Sequence, residues 1–209
     1  MKKLAYVFIF LVVGSITLYA QDPLYKQWNA DVVAKANTAK NVSYLTDQEK
    51  RVIYLCNLAR LDGKLFSETY LKDYNSNKSN SYVKSLYSDL AEIKNLPVLL
   101  PSENLTKAAR YHAIDMGDNG KTGHNSSDGT RFATRVRSYS KGGYIAENCS
   151  YGYNDALNIV MQLLIDDGVP SLGHRINILS TNYTAVGVAI EPHTGYSYNC
   201  VMDFSDTVE

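Results

Sequence analysis

Residues 183–204 read YTAVGVAIEPHTGYSYNCVMDF, and this stretch decides the fold class. Two strand-like runs, 183–190 and 196–204, flank a turn at 192–195. Such a pattern predicts two antiparallel strands at the end of the chain. Because patterns typical of helices fill most of the preceding sequence, we expect an α+β protein in which helices cover a mainly antiparallel sheet.

Further elements are predicted upstream of these strands. Thr46 and Glu49 match a capping box, which predicts a helix that continues to about Leu61. Residues 21–46 are polar, with weak helical periodicity, and are interpreted as an N-terminal lead. The remaining periodicity predicts a strand over 142–151, a loop over 75–81 and five helices, over 67–74, 82–93, 101–118, 155–167 and 173–179.

The first twenty residues, MKKLAYVFIFLVVGSITLYA, have the three parts of a cleaved secretory signal. Lys2 and Lys3 form the basic start, residues 5–13 the apolar run and residues 18–20 a small-residue cleavage site. The alternative is an uncleaved anchor, for which the run is short. We therefore expect an exported protein, secreted or periplasmic, without a transmembrane span in the mature chain.

The charge pattern argues against a nucleic-acid partner. The chain has 21 lysines and arginines and 21 aspartates and glutamates, for a net charge of +0. These charges are interspersed, and no basic stripe is present.

Three cysteines, Cys56, Cys149 and Cys200, follow the apolar run. An exported protein can form a disulfide, and the odd count leaves one cysteine unpaired. Cys56 falls on the apolar stripe of a predicted helix and is interpreted as a core residue. Cys149 and Cys200 lie in two predicted strands and are the candidate disulfide.

Asp167 lies at a position where a carboxylate is expected to destabilise the fold. It falls, with Asp166, in the last turn of the helix predicted over 155–167. The partial negative charge of a helix C-terminus disfavours a carboxylate there by up to about 1 kcal/mol. Asp167 also extends the apolar stripe, so we expect it to face inward and lose solvation. A nearby cation would offset both costs; the alternative is an early helix end with both aspartates in water.

Glu147 presents a similar problem on the strand predicted over 142–151. Two-residue alternation places it on the same face as Ile145 and Cys149. If that face is covered, an unpartnered carboxylate would lose its charge, whereas a metal or a protonated histidine would keep it ionised. The alternative is a strand edge that leaves Glu147 in water.

Two histidines complete the candidate set. His174 follows Gly173 at the start of a predicted helix, where free backbone N–H groups can bind an anion. Its neighbour Arg175 could instead pair with one of the aspartates, 166 or 167. His124 lies in the turn-rich loop 117–130.

The other two histidines are interpreted differently. His112 lies on the apolar face of the helix predicted over 101–118, so we expect a buried, hydrogen-bonded core histidine, with a direct ligand role as the alternative. His193, in the turn between the last two strands, is expected to be solvated.

Two imidazoles and two carboxylates can hold one divalent cation, such as zinc, or share protons among themselves. The candidate ligands are His124, Glu147, Asp167 and His174. Neither a metalloprotease helix motif nor a nucleophile elbow occurs in the sequence. A serine nucleophile beside a histidine is a further alternative that no spacing requires, with three candidates: Ser126, Ser127 and Ser171.

Four strings resemble the bacterial branch of the CAP superfamily, which includes cysteine-rich secretory, antigen 5 and pathogenesis-related proteins. They are AARYHAIDMGDNGKTGHNSSDGT, AENCSYG, VMQLLIDDGVPSLGHRINILSTNYTAVGVAIEPH and NCVMDF, and the resemblance covers about residues 48–205. It implies an α-β-α sandwich with a central cleft. It also implies a CAP domain over 47–209 with an insertion near 64–95.

The resemblance further implies that the cleft of the family, with its two histidines and two acids, maps onto His124, Glu147, Asp167 and His174. Members of the family bind zinc or another divalent ion there. Asp167 departs from the pattern, because eukaryotic members usually carry glutamate at this corner and many bacterial ones carry neither acid.

Three functions are compatible with this sequence. The first is a secreted CAP-domain protein whose cleft binds a divalent cation or a small extracellular ligand, with a lipid, a glycan or a protein as partner. The second is a metal-assisted hydrolase or protease in which His124 and His174 ligate zinc, Glu147 is the general base and Asp167 orients a histidine. The third is a structural envelope protein.

Overall fold

The structure is a computed structural model that describes residues 23–208. The expected signal sequence, residues 1–20, lies outside this range. Among the described residues, no helix combines the length and the apolar character needed to cross a membrane.

Nine α-helices and four strands make up the described chain, after a 3₁₀ helix at Pro23–Gln27. The first five helices are α1 (Ala30–Ala36), α2 (Asp47–Leu61), α3 (Gly63–Phe66), α4 (Lys72–Tyr74) and α5 (Ser81–Glu92), with a π-helical turn at Ser67–Leu71 between α3 and α4. The later elements are β1 (Leu100–Pro101), α6 (Glu103–Asn119), α7 (Phe132–Arg137), β2 (Ile145–Tyr151), α8 (Ala156–Ile165), α9 (Gly173–Leu179), β3 (Ala185–His193) and β4 (Ser197–Ser205).

The four strands form one sheet in the order β1-β3-β4-β2. The pairs β3–β4 and β4–β2 are antiparallel, and only the short pair β1–β3 is parallel. Helix α6 covers one face of the sheet, and α2 and α8 lie against the other. The α+β class and the α-β-α sandwich are therefore confirmed.

Gly187 in β3 allows α6 to approach its face of the sheet closely. A Cβ atom there would lie 2.1 Å from the backbone carbon of Leu105 and from the backbone nitrogen of Thr106, so any side chain would clash with this helix. On the opposite face, Val186, Val188 and residues of α2 and α8 join the main apolar core. The core is therefore split into two layers by the sheet.

The element boundaries follow the predictions with a few differences. Thr46 and Glu49 form the complete capping box, and Asp155 caps α8. Strand β3 continues to His193, so the connecting turn is shorter than expected. The sequence patterns did not predict α7 or β1.

The N-terminal segment before α2 packs on the domain. Trp28, Val33, Ala36 and Leu45 are buried in the main apolar core. Residues 63–92, which include most of the expected insertion, form α3, the π-helical turn, α4 and α5. The boundaries of the CAP domain and of its insertion stay predictions.

The expected disulfide between Cys149 and Cys200 is wrong. All three cysteines are free and buried. In the β2–β4 pair, Cys149 lies opposite Val201 and Cys200 lies opposite Ser150. Because neighbouring residues of a strand point to opposite faces, Cys149 packs under α6 and Cys200 packs in the main core on the other side of the sheet.

Candidate functional site

Strand β2 is an edge strand, and its Glu147 organises one half of the candidate site. The side chain of Glu147 is 1% exposed, and both of its oxygens are engaged. Oε1 accepts a hydrogen bond from Nδ1 of His124 at 2.8 Å, and Oε2 pairs with the guanidinium of Arg135. Glu147 is therefore a buried, fully bonded carboxylate rather than a solvated strand-edge residue.

Arg135 also fixes the loop that carries His124. Its guanidinium donates to the His124 carbonyl at 2.9 Å and to Oγ of Ser126 at 3.3 Å. Helix α7 supplies this arginine, and its side chain is 2% exposed. The sequence analysis did not identify Arg135 as a site residue. The one available signal was the string TRFATRV, residues 130–136, which places two arginines directly after the loop that carries His124.

The charges around Glu147 determine its ionisation. Burial raises the pKa of this carboxyl, but the hydrogen bond from His124 and the charge of Arg135 outweigh burial and hold the pKa below its ordinary value. The same hydrogen bond raises the pKa of His124. Asp203 lies opposite Glu147 in the sheet, and burial together with the nearby Glu147 raises its pKa well above the ordinary range. Of the two adjacent acids, Glu147 therefore loses its proton first and Asp203 keeps its proton to a higher pH.

Asp203→Asn is expected to remove a pH dependence of stability. Between the ordinary aspartate pKa and the raised pKa of folded Asp203, the unfolded chain has lost this proton and the folded protein keeps it. The free energy of unfolding therefore falls by about 1.4 kcal/mol per pH unit as the pH rises through that window. Urea unfolding of the wild type and Asp203→Asn from pH 5 to 8 measures the slope.

Neutral asparagine should flatten this slope and make the variant more stable than the wild type at pH 8. Asp118→Asn, which changes an exposed carboxylate on α6, is the matched control and should leave the slope unchanged. Equal slopes for the wild type and Asp203→Asn would contradict the buried proton.

His174 forms the second half of the site, and its acidic partner is Asp166. Nδ1 of His174 lies 2.7 Å from Oδ1 of Asp166, and the backbone N–H of His174 donates to Oδ2 at 3.0 Å. The carboxylate of Asp166 is 2% exposed, and the imidazole is 24% exposed. The acid that contacts His174 is thus Asp166, whereas the sequence prediction named Asp167.

The inward position expected for Asp167 is wrong. Helix α8 ends at Ile165, two residues early, and Asp166 adopts the left-handed conformation with φ 57°. This reversal turns the Asp166 side chain inward and leaves Asp167 exposed, where it accepts a hydrogen bond from Asn80 at 3.0 Å. Asp166 still lies at the C-terminus of α8, but its carboxylate accepts hydrogen bonds from the backbone N–H groups of His174 and Arg175 at the start of α9.

A cavity of about 410 Å³ lies between β2 and the α8–α9 connection. Cys149, His174 and both aspartates, 166 and 167, line this cavity, and Sγ of Cys149 lies 3.8 Å from Nδ1 of His124. Three tyrosines complete much of the wall: Tyr74, Tyr151 and Tyr153. Of the four predicted ligands, His174 and Asp167 line this cavity, His124 and Glu147 lie in contact with each other next to Cys149, and Asp166 rather than Asp167 is the acid that contacts His174.

His112 lies directly beside this cleft, fully buried on α6. Its Nε2 lies 2.9 Å from the Gly123 carbonyl and 3.9 Å from Oε1 of Glu147. Because a carbonyl only accepts, Nε2 carries the proton, and Nδ1 has no hydrogen-bond partner within the described chain. Burial also lowers the pKa of His112. These contacts fit the interpretation of a neutral, hydrogen-bonded core histidine.

Ligand atoms of His112, Glu147 and Cys149 lie within 4.8 Å of one another, so this group could hold a metal ion. Two of its members are already engaged, however. Nε2 of His112 donates to a carbonyl, and Glu147 is shared by His124 and Arg135. Three described histidines keep a ring nitrogen without a hydrogen bond: His124 and His174 at Nε2, which are exposed or partly exposed, and His112 at the buried Nδ1.

Two other side chains have partners that differ from those expected. His193 is not solvated but 3% exposed, with Nε2 2.8 Å from the Lys121 carbonyl and Nδ1 accepting from backbone N–H groups. The side chain of Arg175 pairs with Asp89 rather than with Asp166 or Asp167.

Two of the three candidate serines, Ser126 and Ser127, form hydrogen bonds with residues other than histidine. The hydroxyl of Ser127 donates to Asp115, and Ser126 accepts from Arg135 rather than from a histidine.

One family of known proteins matches this chain. Residues 53–204 match the family described as CAP, the cysteine-rich secretory protein family. A search of curated proteins finds no significant match.

Two solved structures are similar. An outer surface protein from Borrelia burgdorferi is 26% identical, with a TM-score of 0.46, over 61% of this chain and 93% of that one. An extracellular protein containing a SCP domain from Bacillus anthracis is 18% identical, with a TM-score of 0.47, over 78% of this chain and 44% of that one. The family match alone spans well over half of the 209 residues, and on that ground this chain belongs to the CAP family.

Proposed function

We propose that this CAP protein is an exported binding module whose cleft binds a divalent cation, zinc in the first place, through His124 and His174. One observation carries the proposal. Each of the two histidines directs Nδ1 at a buried carboxylate, Glu147 in one case and Asp166 in the other. A carboxylate accepts and does not donate, so Nδ1 carries the proton and Nε2 of the neutral ring keeps a free lone pair.

The two acids therefore act as positioning residues rather than as ligands. A carboxylate that holds the second ring nitrogen of a histidine is the usual support of a zinc ligand, because it fixes the tautomer and the orientation of the ring. Glu147 has no free oxygen for a metal once His124 and Arg135 are bound. Asp166 likewise uses one oxygen for the imidazole and the other for the backbone of α9.

Export is supported by the expected signal sequence, residues 1–20, and by membership in a family described as secretory. The cleft is open, since the His124 side chain is 52% exposed, which favours a binding role over a purely internal polar network. Its tyrosine-rich wall could receive a small extracellular ligand beside the cation. The geometry favours binding over hydrolysis, because the lowered pKa of Glu147 and its occupied oxygens make it a poor general base.

Calorimetric titration with zinc at pH 7.5 tests the cation site. The wild type is expected to bind zinc, and His124→Ala and His174→Ala are each expected to lose most of the heat. Asp166→Asn should weaken zinc binding by roughly 10–100-fold, since the amide no longer fixes the imidazole. Affinity should also fall on acidification, because protonated His124, whose pKa is raised, offers no lone pair.

Asp167→Asn is the matched control, one residue away and exposed. It should bind zinc as the wild type does. Absence of zinc binding by the wild type would overturn the proposal, and equal effects of the two aspartate changes would remove Asp166 from the site.

A further inference from the structure

The cavity beside His174 has an aromatic wall that the histidines do not explain. Tyr74 at the end of α4, Tyr151 at the end of β2 and Tyr153 just after this strand line the cavity. Tyr74 and Tyr153 are 36% and 38% exposed. Aromatic surface that stays accessible within a cavity is typical of a small-ligand site. The tyrosine wall therefore indicates a ligand with an apolar face.

Tyr151 is held in position by the protein itself. Its hydroxyl accepts a hydrogen bond from the backbone N–H of Gly123 at 2.9 Å. Its ring packs edge-on against His193, with centroids 5.6 Å apart, and at a tilt against Tyr196, with centroids 5.4 Å apart. A side chain that is already fixed loses little conformational entropy when a ligand packs on it. This part of the wall is therefore preorganised for binding.

Two amide side chains of the cavity are fixed by their oxygens and keep donors for a ligand. The side-chain oxygen of Asn75 accepts from the backbone N–H of Asn77 at 2.9 Å. The side-chain oxygen of Gln162 accepts from the hydroxyl of Ser150, and its NH₂ group has a long contact of 3.4 Å with the Tyr151 carbonyl. Because an amide NH₂ group has two donors, both side chains can donate to a ligand in the cavity.

Asp167 supplies an acceptor at the same cavity. Its Oδ2 accepts from Asn80 at 3.0 Å, and its Oδ1 accepts no hydrogen bond from a described residue. Asp166 also lines the cavity, whereas none of the described lining residues is a lysine or an arginine. Two carboxylates without such a cation repel an anionic ligand. The cavity thus offers donors and acceptors to an uncharged polar molecule.

The aliphatic part of the lining is small. It comes from Leu163, Ile165 and Val169, and the first two are only 2% and 8% exposed. An acyl chain in this cavity would cover the amides and carboxylates without replacing their hydrogen bonds to water, which costs free energy. A lipid tail therefore fits this lining poorly.

We propose that this cavity binds an uncharged sugar unit of an extracellular glycan. A sugar ring has an apolar C–H face that can pack on a tyrosine ring, and its rim carries hydroxyls that both donate and accept hydrogen bonds. The cavity volume of about 410 Å³ lies within the range of small-ligand pockets, roughly 300–1,000 Å³. The inference rests on the proposed exported binding module and names the class of its ligand, but it does not require the cation.

Saturation-transfer NMR tests the inference, because saturation of the tyrosine ring protons passes to sugar protons that pack against them. Three neutral disaccharides are the probes: maltose, cellobiose and diacetylchitobiose. At least one of them should receive saturation, with zinc and with EDTA alike. Glucuronate should not, because the carboxylates of the cavity repel it.

Variants of the wall assign the signal to this cavity. Tyr153→Ala should weaken binding of the disaccharide about tenfold, since the stacking ring is lost, whereas Tyr153→Phe keeps the ring and should bind nearly as the wild type does. Asp167→Ala removes the acceptor and should also weaken binding about tenfold. Tyr144→Ala is the matched control, because it removes a tyrosine that is 66% exposed and lies outside the cavity.

The outcomes separate the two proposals. Zinc binding without saturation of any neutral disaccharide would overturn the glycan ligand and leave the cation site intact, and the reverse result would overturn the cation site alone. Equal disaccharide binding by Tyr153→Ala and the wild type would also overturn the inference. So would a preference for palmitate or choline over the disaccharides, which would assign the cavity to a lipid or to an organic cation.

Discussion

Replacement of Arg135 by methionine is expected to lower the free energy of unfolding by about 3–5 kcal/mol at pH 7. The side chains of Arg135 and Glu147 are 2% and 1% exposed, so removal of the guanidinium leaves an uncompensated carboxylate in the interior. The neighbouring Asp203 is itself an acid and supplies no positive charge in place of the guanidinium. Urea unfolding of the wild type and Arg135→Met at pH 7 measures the loss.

The double variant Arg135→Met, Glu147→Gln is the control for this prediction. It removes both charges, and it should recover a large part of the stability that Arg135→Met loses. The deficit of Arg135→Met should also shrink at low pH, where Glu147 can take up a proton. A loss below about 1 kcal/mol, typical of an exposed ion pair, would contradict the buried one.

Arg60→Met is expected to have a similarly large effect, about 3–5 kcal/mol, for a different reason. Arg60 is fully buried in α2, and its guanidinium donates to four main-chain carbonyls. They belong to Pro97, Ile178, Ser180 and Tyr183, at distances of 2.6–3.1 Å. Burial lowers the pKa of Arg60 to about 10, so it stays charged at neutral pH. Methionine fills much of the volume but leaves these carbonyls without their donor.

Thermal and urea unfolding check this second prediction. Lys107→Met removes an exposed cation that pairs with Glu103 on the surface of α6, and it should change stability by no more than about 0.5 kcal/mol. Because the four carbonyls flank β1 and the α9–β3 connection, Arg60→Met should also weaken zinc binding through His174. A variant as stable as Lys107→Met would show that water replaces the guanidinium at these carbonyls.

Much of the fold could be predicted from the sequence because its signals are local. The capping box at Thr46 and Glu49 places the start of α2 within one residue. Two-residue alternation placed Glu147 and Cys149 on one face of β2 correctly. The same alternation explains why Cys149 and Cys200 cannot pair, once the alignment of β2 with β4 is known. That alignment could not be predicted, because the pattern within one strand does not specify which residues of the neighbouring strand lie opposite.

Only part of the site could be predicted from the sequence, because one backbone conformation is unusual and several contacts join residues that are far apart in the chain. Helical periodicity predicted that α8 continues through Asp167. In the structure the left-handed backbone of Asp166 ends the helix, so the side chain of Asp166 points inward and that of Asp167 points to solvent. Such a conformation is uncommon for a residue with a side chain, so periodicity alone does not predict it. Arg135 and His193 were missed because their partners, Glu147 and the Lys121 carbonyl, are brought to them by the tertiary structure.

The position of β2 at the edge of the sheet has a consequence for solubility. An open strand edge presents unpaired backbone groups that can recruit a strand from another molecule and start aggregation. Helix α9 lies alongside this edge, held by Asn148, which donates to the His174 carbonyl, and by Asn177, which donates to the Glu147 carbonyl. The helix that presents His174 to the cleft therefore also shields the strand that presents Glu147. Release of α9 would open the cleft and expose an aggregation-prone edge in the same event, so the integrity of the site and resistance to aggregation are maintained by the same contacts.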